Sequence, residues 1–262
     1  MDEVISSDGT PIAYEAVGSG PTVVLVGGAF CDHTATAELA DALASDFTAV
    51  SYDRRGRGAS GDTLPYDVRR EVADIEALIR RFGDRAMLHG MSAGAALSLV
   101  ATAAGVPVDA VSGVEPPYRV SEDAPRLPEG EDAFAAMVSS GSRGDAVAFF
   151  MTHGVGLAPE VVAQMRRMPL WPGLEAMAHT LVYEAAALGS GAGRLPEEML
   201  ADFPVPVLTV YSKASPAWLQ AGAAAVAAAV PSGECVGLDG VFHEVPAATI
   251  APVLREFYRR AR

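Results

Sequence analysis

The most constraining feature of this chain is a serine in a turn of small residues, between an apolar run and an alanine-rich run. The segment reads Leu88-His89-Gly90-Met91-Ser92-Ala93-Gly94. A serine on a sharp strand-to-helix turn has a strained backbone, and small residues on either side let the neighbouring chain approach closely. Such a turn lifts the hydroxyl above a sheet edge, where a helix N-terminus favours negative charge. The segment predicts a nucleophilic serine, with a serine that only caps the helix as the alternative.

Strand-like and helix-like segments alternate on both sides of this turn. Apolar runs typical of strands buried on both faces occur at Thr22–Val26, 47–52, Val108–Val114 and 205–211. Apolar residues at helical spacing lie between such runs, as at Val72, Ile75 and Ile79. Alternating strands and helices predict an α/β fold with a mostly parallel, doubly wound sheet and right-handed crossovers.

Between residues 118 and 200 the strand signals stop. This region contains helical segments broken by glycine and proline, and the strand–helix alternation returns at residues 205–211. We therefore predict one α/β core domain made of residues 1–117 and 201–262. Residues 118–200 are predicted to form a helical cap inserted into that core.

Composition limits the partners of the chain. A net charge of −14 over 262 residues argues against nucleic acid or an anionic membrane surface, because both would repel it. Residues 86–108 lack charged side chains but divide into a strand, a turn and a helix, so no membrane span is predicted. The acidic N-terminus resembles no secretory signal, and Cys31 and Cys235 form no disulfide framework. We expect a cytoplasmic protein, for which a homo-oligomer is also compatible with the sequence.

The chain resembles the α/β-hydrolase family over its whole length, and two further segments show this likeness. Val23-Val24-Leu25-Val26-Gly27-Gly28-Ala29 is similar to the family's strand and oxyanion loop, although Gly27 stands where many members have histidine. Tyr52-Asp53-Arg54-Arg55-Gly56-Arg57-Gly58-Ala59-Ser60 resembles the turn after the next strand, which is structural in that family. The resemblance implies an α/β-hydrolase fold with Ser92 as nucleophile. It also implies that the backbone N–H groups of Ala29 and Ala93 form an oxyanion hole.

A serine hydroxyl is a weak nucleophile until a base takes its proton, and five histidines are candidates for that base. His243 lies in a loop between the last predicted strand and the C-terminal helix, where the resembled family has its base. His89 is expected in a strand, His33 lies just beyond the oxyanion loop, and His153 and His179 fall in the predicted cap. We predict His243 as the base and the other four as packing or pocket-lining residues.

The predicted acid departs from the family's commoner pattern. Ser215 stands where many members have the carboxylate, and residues 204–233 contain no Asp or Glu. Some members instead carry the acid after the strand that follows the nucleophile helix, and this place holds Glu115. We predict that Glu115 holds His243 in the correct tautomer. The alternatives are that Asp239 has this role, or that Glu115 is only a loop carboxylate.

The predicted cap is rich in soft apolar side chains. It holds six of the nine methionines: Met137, Met151, Met165, Met168, Met177 and Met199. As a group such residues could line an adaptable pocket, while for any single one ordinary packing in the cap core is the favoured interpretation. We expect Phe30, Met91, Met165 and Trp171 to contact an uncharged, apolar substrate.

Together these features predict nucleophilic acyl transfer from a small ester, thioester or lactone to water. No metal and no organic cofactor is implied. Ser92 argues against epoxide hydrolases and dehalogenases of this fold, because their nucleophile is an aspartate. A cofactor-free perhydrolase or haloperoxidase would share the same three residues. A non-hydrolytic biosynthetic enzyme or a binding protein on this scaffold is the alternative from another class.

Overall fold

The computed structural model describes residues 1–122, 124–125, 131–189 and 193–261, and its strands form one sheet. The eight strands are β1 (Asp2–Ile5), β2 (Pro11–Gly18), β3 (Thr22–Val26), β4 (Thr48–Tyr52), β5 (Ala86–Met91), β6 (Val108–Val114), β7 (Val207–Ser212) and β8 (Gly233–Leu238). Their order across the sheet is β1-β2-β4-β3-β5-β6-β7-β8. The predicted α/β architecture is confirmed.

Most neighbouring strands of this sheet are parallel. Among these eight strands, only β1 with β2 and β2 with β4 pair in antiparallel fashion, while the pairs from β4 to β8 are all parallel. From β3 the chain passes first to β4 on one side and then to β5 on the other. Such a switch point opens a crevice beyond the carboxyl ends of the strands, where α/β proteins bind ligands.

Helices cover both faces of the sheet. They are α1 (Ala37–Leu43), α2 (Val68–Phe82), α3 (Ala93–Ala103), α10 (Ala217–Ala229) and α11 (Ala247–Arg260). Along β3, Val24 and Val26 pack in one apolar layer, while Val23 and Leu25 pack in the layer on the opposite face. This explains why β3 is an unbroken apolar run, since successive side chains enter two different cores.

The described residues between β6 and β7 are mainly helical. The elements are α4 (Glu131–Ser139), α5 (Arg143–Phe149), a π-helical turn (Phe150–Gly154), α6 (Pro159–Met165), α7 (Trp171–Ala176), α8 (Leu181–Ala187) and α9 (Glu197–Ala201). We call α4–α9 the helical block. Parts of α5–α8 share an apolar core of their own, centred on Val147, Trp171 and Leu181.

Local contacts set the ends of several elements. The helical segment after β3 starts as a 3₁₀ turn, His33–Thr36, and becomes α-helical only in α1. The α2 helix begins at Val68 because the Asp67 side chain accepts a hydrogen bond from the Arg69 N–H. Strand β5 runs to Met91, so the strand ends immediately before Ser92. Within the described ranges, no helix combines the length and apolar character that crossing a bilayer requires.

Candidate active site

Ser92 occupies a strained turn between β5 and α3. Its backbone has φ 54° and ψ −124°, a conformation that non-glycine residues rarely adopt. The Ser92 N–H donates to the Val114 carbonyl at the end of β6, at 2.8 Å. The Ser92 side chain makes no capping hydrogen bond to α3. The hydroxyl is therefore not used as a helix cap.

Glycines two residues before and after Ser92 let this turn pack closely. A Cβ atom at Gly90 would lie 2.4 Å from the backbone of Ala95. At Gly94 it would lie 2.2 Å from the Val26 carbonyl oxygen and 2.6 Å from that of Gly27. Any side chain at either position would push the turn away from β3 and α3. The small residues noted in the sequence are thus required by backbone contacts.

Glu115 and His243 meet at the same edge of the sheet. Glu115 follows β6, is completely buried, and has φ 46°. Its Oε2 atom lies 2.6 Å from Nδ1 of His243, and its Oε1 atom accepts the Ser212 N–H at 2.8 Å. The carboxylate is therefore fixed by the end of β7 on one side and bonded to the imidazole on the other.

The His243 loop is held in place by Ser215, which stands where the family's commoner acid would be. His243 has φ 57°, and its N–H donates to Oγ of Ser215 at 2.9 Å. Asp239, the alternative acid, is turned outward: its side chain is 88% exposed and pairs with Nζ of Lys213 at 2.9 Å. The geometry at His243 thus involves Glu115, while Asp239 is engaged elsewhere.

The loop after β3 lies directly beside Ser92. A Cβ atom at Gly28 would come within 3.1 Å of the Ser92 Cβ and 2.9 Å of the Met91 carbonyl oxygen. Ala29 and Ala93 line the same cavity as Ser92. The Ala93 N–H belongs to the first turn of α3, where backbone donors lack partners within the helix. Both predicted oxyanion donors are therefore next to the serine.

The positive φ angles of the chain gather around this site. Among the described non-glycine residues they occur at Phe30 (59°), Ser92, Glu115 and His243. Left-handed backbone costs about 1–3 kcal/mol for such residues and persists only where surrounding structure holds it. Strain concentrated in the loops after β3, β5, β6 and β8 marks this edge as a candidate active site.

Ser92 and His243 line a common cavity of about 440 Å³. Its surroundings are mostly apolar and come from the sheet edge, the helical block and α10. The side chains are those of Phe30, Met91, Phe150, Met151, Val155, Leu157, Met165, Leu188, Trp218, Leu219 and Phe242, with Arg119 and Glu184 as charged members. Three of the predicted substrate-contacting residues, Phe30, Met91 and Met165, are among them.

Trp171, the fourth predicted substrate contact, is not part of this lining. The residue is 5% exposed and packs in the core of the helical block. Its Nε1 donates to Oε1 of Glu175 at 2.8 Å, which satisfies the indole within the block itself. Trp171 therefore lies on the face of α7 that packs against the other helices of the block. The cavity is instead bounded by Trp218 and Phe242, which the sequence reasoning did not select.

The other histidines lie outside the Ser92 cavity lining. His89 is buried in β5, with Nδ1 2.7 Å from Oγ of Ser112, and burial lowers its pKa to about 4. His33 contacts Asp53 at 2.8 Å, and His179 packs edge-on against Tyr183. His153 lies against the Phe149 ring in the π-helical turn. Each is engaged in local packing or in a hydrogen bond of the framework.

Ligand atoms of Asp32, His33 and Asp53 lie within 4.8 Å of one another, a spacing that could suit a metal ion. The Asp53 oxygens, however, already accept hydrogen bonds from the backbone N–H groups of His33 and Ala59, at 2.7 Å each. This carboxylate therefore joins the 3₁₀ turn to the loop after β4. The group has the role of a structural brace, as the resemblance implied for Asp53.

The sequence reasoning missed a buried ionic cluster beside the oxyanion loop. Arg54 and Arg57 follow β4 and are both 1% exposed, and both reach the carboxylate of Glu184 in α8. A signal was present: Glu184 is the one charged residue of Leu181–Ala187, a short and otherwise mainly apolar helix. A charge in such a helix needs a buried partner.

The sequence profile of the Alpha/beta hydrolase family matches residues 23–251. An alpha/beta hydrolase from Sphaerobacter thermophilus is 47% identical, with 98% of this chain and 100% of that chain covered and a TM-score of 0.92. A thermophilic esterase from Thermogutta terrifontis is 20% identical, with 99% and 98% covered and a TM-score of 0.75. The enol-lactonase from Burkholderia xenovorans is 20% identical, with 99% and 97% covered and a TM-score of 0.67. The last two likenesses concern the fold alone.

Proposed function

The chain belongs to the Alpha/beta hydrolase family, and we propose that it is a serine hydrolase acting through an acyl-enzyme on Ser92. The observation that carries the proposal is the 2.6 Å contact between His243 Nδ1 and Glu115, on a loop whose histidine shares a cavity with Ser92. A carboxylate on Nδ1 leaves Nε2 as the free acceptor, which is the arrangement that activates a serine.

In the proposed reaction, Ser92 Oγ attacks the substrate carbonyl while His243 Nε2 takes the hydroxyl proton. Glu115 holds the imidazole orientation and stabilises its positive charge. The N–H groups of Ala29 and Ala93 donate to the oxyanion of the tetrahedral intermediate, each worth about 2.7–4 kcal/mol. The imidazolium then protonates the leaving alcohol or thiol. Water, deprotonated by His243, releases the acid from Ser92 in the second half.

The cavity supports a small, largely apolar carboxylic ester, thioester or lactone as substrate. Its volume of about 440 Å³ lies in the lower part of the range of small-molecule sites. Of the two charged lining residues, Arg119 and Glu184, the latter is already paired with two arginines, so it favours no cationic substrate. The fold-level likeness to an esterase and an enol-lactonase is compatible with ester and lactone chemistry.

We further propose that residues 118–200 act as a cap over a core of residues 1–117 and 201–262. The helical block contains a core of its own around Trp171. It also contributes Phe150, Met165 and Glu184 to the surroundings of Ser92. A cap of this kind selects the substrate while the sheet edge performs the chemistry.

The test is covalent labelling combined with a substrate panel. A fluorophosphonate probe should add to Ser92, and Ser92→Ala should abolish both labelling and turnover. The panel contains p-nitrophenyl esters of graded acyl length, beside a set of lactones and a thioester. Labelling of another residue, or full turnover by Ser92→Ala, would contradict the proposed function.

A further inference from the structure

A buried ionic chain connects the helical block to the loop that carries the proposed oxyanion donor. The guanidinium of Arg57 donates through Nη1 to the Gly28 carbonyl at 2.5 Å and to the Cys31 carbonyl at 3.5 Å. The neighbouring Arg54 donates through Nη1 to the Gly27 carbonyl at 3.2 Å. Two successive peptide groups just before Ala29 are therefore held by two arginines.

The direction of the Ala29 N–H depends on this hold. The carbonyl of Gly28 and the N–H of Ala29 belong to one planar, trans peptide group and point in opposite directions. Fixing the Gly28 oxygen against Arg57 therefore fixes the direction of the Ala29 N–H. Gly28 itself lies against Ser92, because a Cβ atom at this position would be 3.1 Å from the Ser92 Cβ.

Glu184 of α8 holds the two arginines themselves. Its Oε2 accepts from Arg54 Nη1 at 3.0 Å, and its Oε1 accepts a very short hydrogen bond from Arg57 Nη2. The side chain of Glu184 is 2% exposed, and the residue lines the Ser92 cavity. Burial lowers the pKa of Arg54, but the charges of Glu184 and Glu71 outweigh it, so Arg54 remains charged.

We propose that Glu184 is a positioning residue for the oxyanion hole: it holds Arg57 and Arg54, which aim the Ala29 N–H at the oxygen that becomes negative during acyl transfer. The helical block thereby contributes to the rate as well as to substrate choice. This inference rests on the proposed function, because it assumes an acyl transfer at Ser92.

A matched control lies in the same turn. Arg55 donates to Asp74 of α2 through Nε at 2.8 Å and through Nη2 at 2.7 Å, and this pair is equally buried. Arg55 has its hydrogen bonds with Asp74, Asp8 and the Arg70 carbonyl, and none of these residues lines the Ser92 cavity. Asp74→Asn should thus have the structural consequences of a lost buried carboxylate without touching the oxyanion loop.

The experiment compares the kinetic constants of Glu184→Gln with those of Asp74→Asn. The concentration of active sites in each variant is determined by complete fluorophosphonate labelling. Glu184→Gln should lower kcat about tenfold and leave KM nearly unchanged; loss of a whole oxyanion donor lowers kcat by about 10²–10³. It should weaken inhibition by an alkyl trifluoromethyl ketone, which forms a tetrahedral adduct with serine, by the same factor. Inhibition by the matching methyl ketone, which stays trigonal, should not change. Asp74→Asn should leave all four quantities near the wild-type values.

The double variant Arg57→Met/Glu184→Met carries the test if Glu184→Gln does not fold. Replacing a buried ion pair by apolar residues of similar size is often tolerated by a protein. Because a thioether side chain at position 57 has no donor for the Gly28 carbonyl, the folded double variant should show the same loss of kcat and of trifluoromethyl ketone affinity. Unchanged values in the folded variant overturn the inference, as do equal losses in Asp74→Asn. Absence of labelling at Ser92 in the wild-type protein instead overturns the proposed function.

Discussion

The sheet edge and the helical block line the same cavity but are built differently. The edge is built from strained loops joined by short polar contacts, such as Glu115 with His243 at 2.6 Å. The block offers mainly apolar side chains on helices, such as Phe150 and Met165. Polar contacts of defined direction depend on each atom, whereas apolar packing tolerates exchange of residues of similar volume. Substitutions at the edge should therefore affect activity more than exchanges of apolar residues of similar volume in the block.

Three of the four strained residues of the edge, Ser92, Glu115 and His243, are held by the element beside them. The Ser92 N–H donates to Val114 at the end of β6, at 2.8 Å, and the Glu115 N–H donates to Val210 of β7 at 2.9 Å. The His243 N–H donates to Ser215, after β7, at 2.9 Å. The strain is thus supported by a row of hydrogen bonds across adjacent strands. The block needs no such support because its described non-glycine residues have no positive φ.

The largest loss of activity is expected from a substitution at the sheet edge, at the proposed acid Glu115. Glu115→Gln should lower kcat by roughly 10⁴, since an amide on Nδ1 favours the wrong tautomer of the imidazole. Asp239→Asn should lower kcat little, because Asp239 is exposed and pairs with Lys213. Both are measured as kcat on one p-nitrophenyl ester, with folding checked by circular dichroism. If Asp239→Asn has the larger effect, the acid is Asp239 and the contact seen with Glu115 is only structural.

The contact between Glu115 and His243 could be anticipated because carboxyl ends of neighbouring parallel strands share one edge. Ser92, Glu115 and His243 follow β5, β6 and β8, and the family resemblance indicated these places for the base and the acid. Apolar runs made several strands of the sheet visible, most clearly β3, which is buried on both faces. For the sheet edge, the local sequence pattern and the strand topology therefore indicate the same set of residues.

The helical block could not be predicted to the same depth. Helical spacing shows that Trp171 and Met165 each lie on an apolar face, but not which face meets the cavity and which meets another helix. Trp218 and Phe242 reach the cavity from segments far away in the sequence. Glu184 pairs with Arg57 and Arg54, which lie 127 and 130 positions earlier in the sequence. A local sequence pattern cannot reveal a contact between residues so far apart. The role of Glu184 depends on tertiary packing.

A second prediction concerns His89, the histidine inside the sheet. His89 has a pKa lowered by burial to about 4, below the value of about 6.5 for an unfolded chain. Between these values the unfolded state binds more protons, so stability falls as the pH falls. At pH 5 the loss from His89 is about 2 kcal/mol relative to pH 7.5.

The measurement is the free energy of unfolding, obtained from urea titrations of the wild type and His89→Gln at pH 7.5 and pH 5. The variant should lose about 2 kcal/mol less on acidification than the wild type. Equal losses in the wild type and His89→Gln would mean that His89 does not supply the acid sensitivity.

A smaller effect is expected from the row of hydrogen bonds at the edge. Ser215→Ala removes the acceptor of the His243 N–H and leaves the Glu115 contact intact. A neutral hydrogen bond contributes about 1 kcal/mol, which corresponds to roughly a fivefold decrease in kcat if the loop loses its orientation. Ser215→Thr keeps the hydroxyl and should retain most of the activity. Equal kcat in wild type and Ser215→Ala would show that Glu115 alone orients His243.

The smallest effect distinguishes two apolar residues within the helical block. Met165 lines the cavity, so Met165→Ala should admit longer acyl chains and raise the ratio of long-chain to short-chain kcat/KM severalfold, at about 0.8 kcal/mol for each methylene newly buried. Trp171 lies in the block core with its indole bonded to Glu175. Trp171→Phe should therefore lower the melting temperature and leave the chain-length profile unchanged. Profiles are measured on the same ester series for both variants, at a temperature where both are folded. A shift caused by Trp171→Phe equal to that of Met165→Ala would mean that the block responds as one unit, and that its core, rather than the lining residues alone, determines the shape of the cavity.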